Sequence, residues 1–387
     1  MSADSLRCWV PGSFAMPAAE AGPLRHRSVA VKDLFAVRGH VSSFGHPRWR
    51  ETHAPATETA PVVERLIGAG ASVRGMAKLD QLAYSLTGSM GEGEQPINPV
   101  NPGRFTGGSS SGSASAVAGG EADLGLGTDT AGSIRVPAAA CGLFGYRPTH
   151  GLVDSRGVLP LAPSFDVVGL MARDAELLLI AARVLAEVAA PPVGEVRVLD
   201  DAPVEPFVAR AVEGVAAALG GRVVRGLGGL VSQEVAELFS RLQGREVWAA
   251  HGDWVSANEG FLAEDVRRRL ARAKAFGEGT GQADESAWAE YRELFATVLR
   301  PGSIAVMPVL ADLPPLRTAA EEELVAFRRQ ALLFNAPAGL AGAPVVVVPV
   351  RAGGSVTGVG LMGRPGSDGT LLEAARALSA GDQLVVV

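Results

Sequence analysis

Hydrophobic and polar positions along the chain switch between two periods. Residues 29–32 (VAVK) and 71–75 (ASVRG) are short apolar runs that read as strands. Between them, residues 60–70 (APVVERLIGAG) carry apolar spacing for a helix that stops at the glycines 68 and 70. Strand, helix and strand in that order predict a β-α-β crossover. Residues 113–119 predict an Ala-rich helix with Ser109 to Ser111 at its start. Residues 123–127 predict a buried strand, and the chain from Ser133 onward a helix with Pro137 in its first turn. An amphipathic helix is expected over 175–190, a strand over 194–199 and a helix over 205–219. Residues 231–300 are charged and helix-rich, interrupted by a loop at 276–282. Then come a buried strand at 303–309, a helix at 318–333, a fully buried strand at 344–350 and a last helix at 371–380. No internal repeat or heptad pattern appears.

This alternation makes the chain α/β. It divides into a polar lead-in (1–27), a core (28–190), a helix-rich insert expected to shape a pocket (191–300) and a return to the core (301–387). Composition adds exclusions. With 35 basic residues against 41 acidic, the net charge of −6 argues against nucleic-acid binding. Cys8 and Cys141 are too few for a disulfide framework or a metal cluster, and the six histidines lack ligand spacing, so no metal or cofactor is expected. The start has no signal-peptide pattern and no apolar run could span a bilayer, so a cytoplasmic setting, with no membrane partner, is expected. Only three lysines occur, Lys32, Lys78 and Lys274. Lysine can lose its proton when buried and arginine cannot, so a chain this biased to arginine keeps lysine where arginine cannot substitute, with Lys32, near the end of an apolar strand, the candidate base and Lys78 its competitor.

Two glycine-serine segments carry the candidate chemistry. One is TGGSSSGS, Thr106 to Ser113; the other is GTDTAGSIRVP, Gly127 to Pro137. Glycines let backbone N–H groups approach a ligand, and serines supply hydroxyls at the turns. A strand-to-helix junction also leaves N–H groups without partners. Together they point to acyl transfer on a serine. No GxxxxGK[ST] or dinucleotide fingerprint is present, and the G-x-S-x-G elbow is missing. Outside this context, Ser133 would read as a turn residue and Lys32 as a solvated charge.

The segment from Gly107 to Ala138 resembles the signature of the amidase signature family. SVAVKDLFAVRG (28–39), GMAKLDQLAYSLTGS (75–89), CGLFGYRPTHG (141–151) and SFDVVGLMARD (164–174) follow in the family's order, and FNAPAGLAGAPVVVVPV resembles its closing strand. Within the family, VKDLFAVRG, SFGHPRW, GGSSSGSA and RVPA look most like the plant-type indole-3-acetamide hydrolases. The resemblance implies one compact domain, with a large mixed central sheet covered by helices on both faces. It implies Ser133 as nucleophile, Ser109 in a cis peptide as the bridging serine and Lys32 as the base. It places the backbone N–H groups of Thr130, Ala131, Gly132 and Ser133 at an oxyanion hole, where Ala131 replaces the family's usual glycine. Ser110, Asp129 and Arg135 are read as structural support. Lys78 resembles a structural family site.

The expected activity is hydrolysis of a small carboxamide to acid and ammonia by a monomer or homodimer. Biuret, allophanate or malonamide hydrolysis is an alternative, and would need a cation for the substrate carboxylate. A glutamine-amidotransferase subunit is usually longer and works with partner subunits. A catalytically silent interaction module would have lost the serine or the lysine.

Overall fold

The computed structural model describes residues 4–89, 94–200, 202–278, 281–352, 354–379 and 385–386. A central sheet runs in the order β2-β1-β3-β5-β4-β9-β10-β8-β6-β7, with a short β11 beside β9. The strands are β1 (Arg27–Lys32), β2 (Ala71–Ala77), β3 (Leu124–Asp129), β4 (Phe144–Arg147), β5 (Val167–Ala172), β6 (Glu195–Val198), β7 (Arg222–Arg225), β8 (Ser303–Pro308), β9 (Val345–Ala352), β10 (Ser355–Met362) and β11 (Val385–Val386). β1 pairs in parallel with both β2 and β3, and β8, β6 and β7 pair in parallel at the far side. The strands between them are antiparallel, so the sheet is mixed.

Alternation along the strands sorts side chains to two covered faces. Val29, Val31, Leu170, Ala172, Val346 and Val348 share one core with α2 (Pro61–Gly68), α5 (Ala175–Leu185), α6 (Pro206–Leu219) and α11 (Asp368–Ser379). Ala30, Met171 and Val347, of the opposite parity, pack with α3 (Ser111–Ala118) and α4 (Arg135–Ala140). α3 is made of serine, glycine, alanine and one valine, and seven of its residues are buried. Small side chains let it lie flat on the backbone beneath it: a Cβ on Gly112 would stand 2.6 Å from the Lys78 backbone.

The β-α-β crossover is present as β1-α2-β2, with α1 (Pro47–Thr52) in the connection. Residues 191–300 divide. Their first part adds β6 and β7 to the sheet, and their second forms α7 (Gln233–Asn258), α8 (Glu264–Gly277) and α9 (Gln282–Val298). The expected loop at 276–282 lies between α8 and α9, with residues 279–280 outside those described. Helix α10 (Glu321–Ala341) runs well past the expected stop at 333 and includes Pro337. Proline removes one helical hydrogen bond. Burial of Phe334, Ala336, Ala338 and Leu340 offsets that cost, and Gly342, at φ 60°, ends the helix. Helix α5 stops short of 190 because Ala186 turns to extended backbone.

Candidate active site

The carboxyl ends of adjacent strands collect the polar groups, as in other α/β sheets. Lys32 is the last residue of β1, and parallel pairing sets Val31 opposite Leu126 of β3. The Lys32 side chain is fully buried. Its Nζ donates to Ser109 Oγ at 2.8 Å and to Thr128 Oγ1 at 2.9 Å. Burial disfavours the ammonium and outweighs the charges of Asp80, Asp166 and Asp129, so the Lys32 pKa falls from 10.5 to about 7.

Ser109 follows a cis peptide bond, Gly108–Ser109, in the loop leading into α3. Its carbonyl accepts the N–H of Asp80 at 3.2 Å. Ser110 ties the two glycine-serine segments together: its N–H donates to the Ser133 carbonyl at 3.3 Å and its hydroxyl to the Thr128 carbonyl at 3.4 Å. It therefore reaches the neighbourhood of Lys32 through Thr128. The Ser133 hydroxyl finds no hydrogen-bond partner among the described residues, and the residue lines a cavity of about 440 Å³.

The turn that holds Ser133 is built on Asp129. One carboxylate oxygen accepts Gly132 N–H at 3.0 Å, Arg135 Nη2 at 2.7 Å and Arg147 Nη1 at 2.9 Å. The other accepts the N–H groups of Ile134 and Arg135 and Arg135 Nε at 3.1, 3.2 and 3.0 Å. Burial alone would raise the Asp129 pKa. The guanidiniums of Arg135 and Arg147 more than offset it and hold the carboxyl well below the usual carboxylate range. Arg135 also donates to the Asn335 carbonyl at 2.9 Å, anchoring the turn to α10.

The expected set of oxyanion donors changes. Gly132 N–H is committed to Asp129 and leaves the set. Thr130 does not line the cavity; its hydroxyl donates to Asp166 Oδ1 at 2.5 Å. Ala131 and Ser133 do line it, and their N–H groups find no acceptor among the described residues. Ala131 needs no glycine-like backbone; the positive φ, 124°, falls on Gly132. A Cβ there would meet Val136 Cγ2 at 3.0 Å and Asn335 Cγ at 3.1 Å. Gly132→Ala is expected to destabilise the fold by roughly 1–3 kcal/mol, read as a lower urea midpoint. An unchanged midpoint would show that the turn tolerates a side chain.

The match of sequence to known proteins follows the same elements. The Amidase family profile covers residues 12–218. Amidase 1 of Oryza sativa subsp. japonica is 34% identical over 94% of this chain and 92% of its own length. The chain belongs to the amidase family. Amidase 1 of Arabidopsis thaliana is 33% identical, over 92% of this chain and 93% of that protein. A crystal structure of an amidase superposes with a TM-score of 0.80 at 28% identity, covering 93% of this chain and 85% of the other. Family membership makes this amidase a hydrolase of amide C–N bonds.

Other candidates in the amidase fall outside the site. Lys78 Nζ donates to the Glu94 carbonyl at 3.0 Å, away from the cavity. His40, His46 and His53 do not line it either. His40 bonds Asp33 at 2.5 Å, His46 bonds the Phe261 carbonyl at 2.8 Å and His53 stacks on Trp49. Cys8 and Cys141 are free and buried. Three site residues escaped the sequence reading. Thr128, Asp80 and Arg147 lie inside segments already singled out, so proximity in sequence was their only signal.

Proposed function

We propose that this amidase converts a small carboxamide to the carboxylic acid and ammonia through an acyl-enzyme on Ser133. The observation that carries the reading is the buried Lys32, 2.8 Å from Ser109 Oγ, with a pKa brought down to about 7. Neutral Lys32 accepts the Ser109 proton, and Ser109 accepts that of Ser133 as Ser133 Oγ attacks the amide carbon. The free enzyme has no hydrogen bond between the two serine hydroxyls; catalytic contacts of this kind commonly tighten only around substrate. The N–H groups of Ala131 and Ser133 are the donors available to the developing oxyanion. When the tetrahedral adduct collapses, the C–N bond breaks and the relay returns its proton to nitrogen, releasing ammonia. Water then adds to the ester carbonyl by the same relay, and the Ser133–acyl bond breaks to give the acid.

Two measurements test this. kcat/KM should rise about tenfold per pH unit below pH 7 and level off above it, because only neutral Lys32 accepts a proton. A flat profile from pH 5 to pH 9 would remove Lys32 as the base. A fluorophosphonate probe, mapped by peptide mass, should label Ser133; labelling elsewhere would displace it as the nucleophile.

A further inference from the structure

The wall of the cavity that holds Ser133 carries an excess of positive charge. Arg269 and Arg272 come from α8, Arg328 and Arg329 from α10, and Arg241 from α7, against a single lining carboxylate among the described residues, Glu237. Some of these guanidiniums are already engaged. Arg241 pairs with Asp284 at 2.9 Å, and Arg269 Nη1 with Asp265 at 2.7 Å. Others are not. Arg269 Nε and Nη2 and Arg328 Nε are buried without a hydrogen-bond partner, and Arg328 has no ion pair among the described residues. Tyr84, on the same wall, lies within electrostatic reach of Arg269, Arg272 and Arg328, which all line the one cavity. Burial and the neighbouring charge of Arg269 push the Arg328 pKa down to about 9.

Buried N–H donors without acceptors are costly, and two cations crowded together cost more. An arrangement of this kind becomes favourable when an anion enters. A carboxylate suits it, because its two oxygens match the guanidinium fork and its single charge suits a cluster already half engaged by Asp265. We propose that Arg269 and Arg328 bind a carboxylate on the acyl part of the substrate, so that the preferred substrates are monoamides of small dicarboxylic acids. The inference rests on the reading of Ser133 as the nucleophile that opens the same cavity. Sequence alone could not single out these arginines, because the fold brings Arg269 and Arg328 to one cavity from two separate helices, α8 and α10.

The test compares succinamate with butyramide, which has a similar chain and no charge. The wild type should favour succinamate in kcat/KM by about 10- to 100-fold. That ratio should fall about tenfold or more in Arg328→Met, chiefly through KM, and Arg269→Met provides a second variant if the first does not fold. Binding is read separately by thermal shift of Ser133→Ala. Succinamate should raise its unfolding temperature, butyramide should not, and the added Arg328→Met change should remove the shift. Equal use of the two amides, with both acting through Ser133, overturns the carboxylate subsite and leaves the nucleophile in place. Hydrolysis that survives Ser133→Ala overturns the underlying reading, and the inference falls with it.

Discussion

Ser133→Ala is expected to lower kcat for amide hydrolysis by about 10⁴-fold or more, the scale seen when the nucleophile of a coupled catalytic unit is removed. The fold should barely register the change. The Ser133 hydroxyl has no hydrogen-bond partner among the described residues, so deleting it orphans no buried group. A stability change within about 0.5 kcal/mol is expected. Ammonia release under single-turnover conditions, alongside a urea melt, separates the two effects. Activity within tenfold of wild type would place the nucleophile elsewhere. Loss of both activity and fold would make Ser133 a structural residue.

Lys32→Met carries the second large effect, because it keeps the bulk of the side chain and removes the base. A loss of about 10²- to 10⁴-fold in kcat/KM is expected. The same variant reads the buried lysine thermodynamically. In the folded protein Lys32 titrates near pH 7, below its ordinary 10.5. Between these values the unfolded chain holds a proton that the folded chain lacks, so wild-type stability rises with pH across that window. The variant lacks this contribution. The wild-type advantage in unfolding free energy should therefore grow from pH 7 towards pH 10. Parallel pH profiles for the two proteins would mean that Lys32 does not titrate in that range.

What the sequence made legible was local. Lys32, Ser109, Ser133, Asp129 and Arg135 stand in short segments whose residue types suit their positions, and the structure brings them to one end of β1 and β3. The β1-α2-β2 crossover was legible for the same reason: apolar spacing and terminal glycines speak for themselves over ten residues. The role of Arg147 was illegible, although the residue lies in the 141–151 segment. It stands among many arginines, and only the fold reveals that it donates to the Asp129 carboxylate and to the Ala343 carbonyl at 2.9 and 3.3 Å. Gly132 misled in another way. A glycine beside a nucleophile suggests a free N–H, whereas here the positive φ turns that N–H towards Asp129. Helix α10 overran its expected end because burial outweighed proline, a tertiary effect no window of sequence contains.

The sheet order has a consequence for how this chain can diversify. Strands β2-β1-β3-β5-β4 come from the first half of the sequence and β9-β10-β8-β6-β7 from the second, and they join at a seam of three residue pairs between β4 and β9. Lys32, Ser109 and Ser133 all lie on the first side. The arginines of the cavity wall are encoded on the second. On the proposed mechanism, mutation or recombination downstream of β5 can thus exchange the acyl group accepted while the proton relay is inherited unchanged. A library confined to α7, α8 and α10 is the place to look for new substrates.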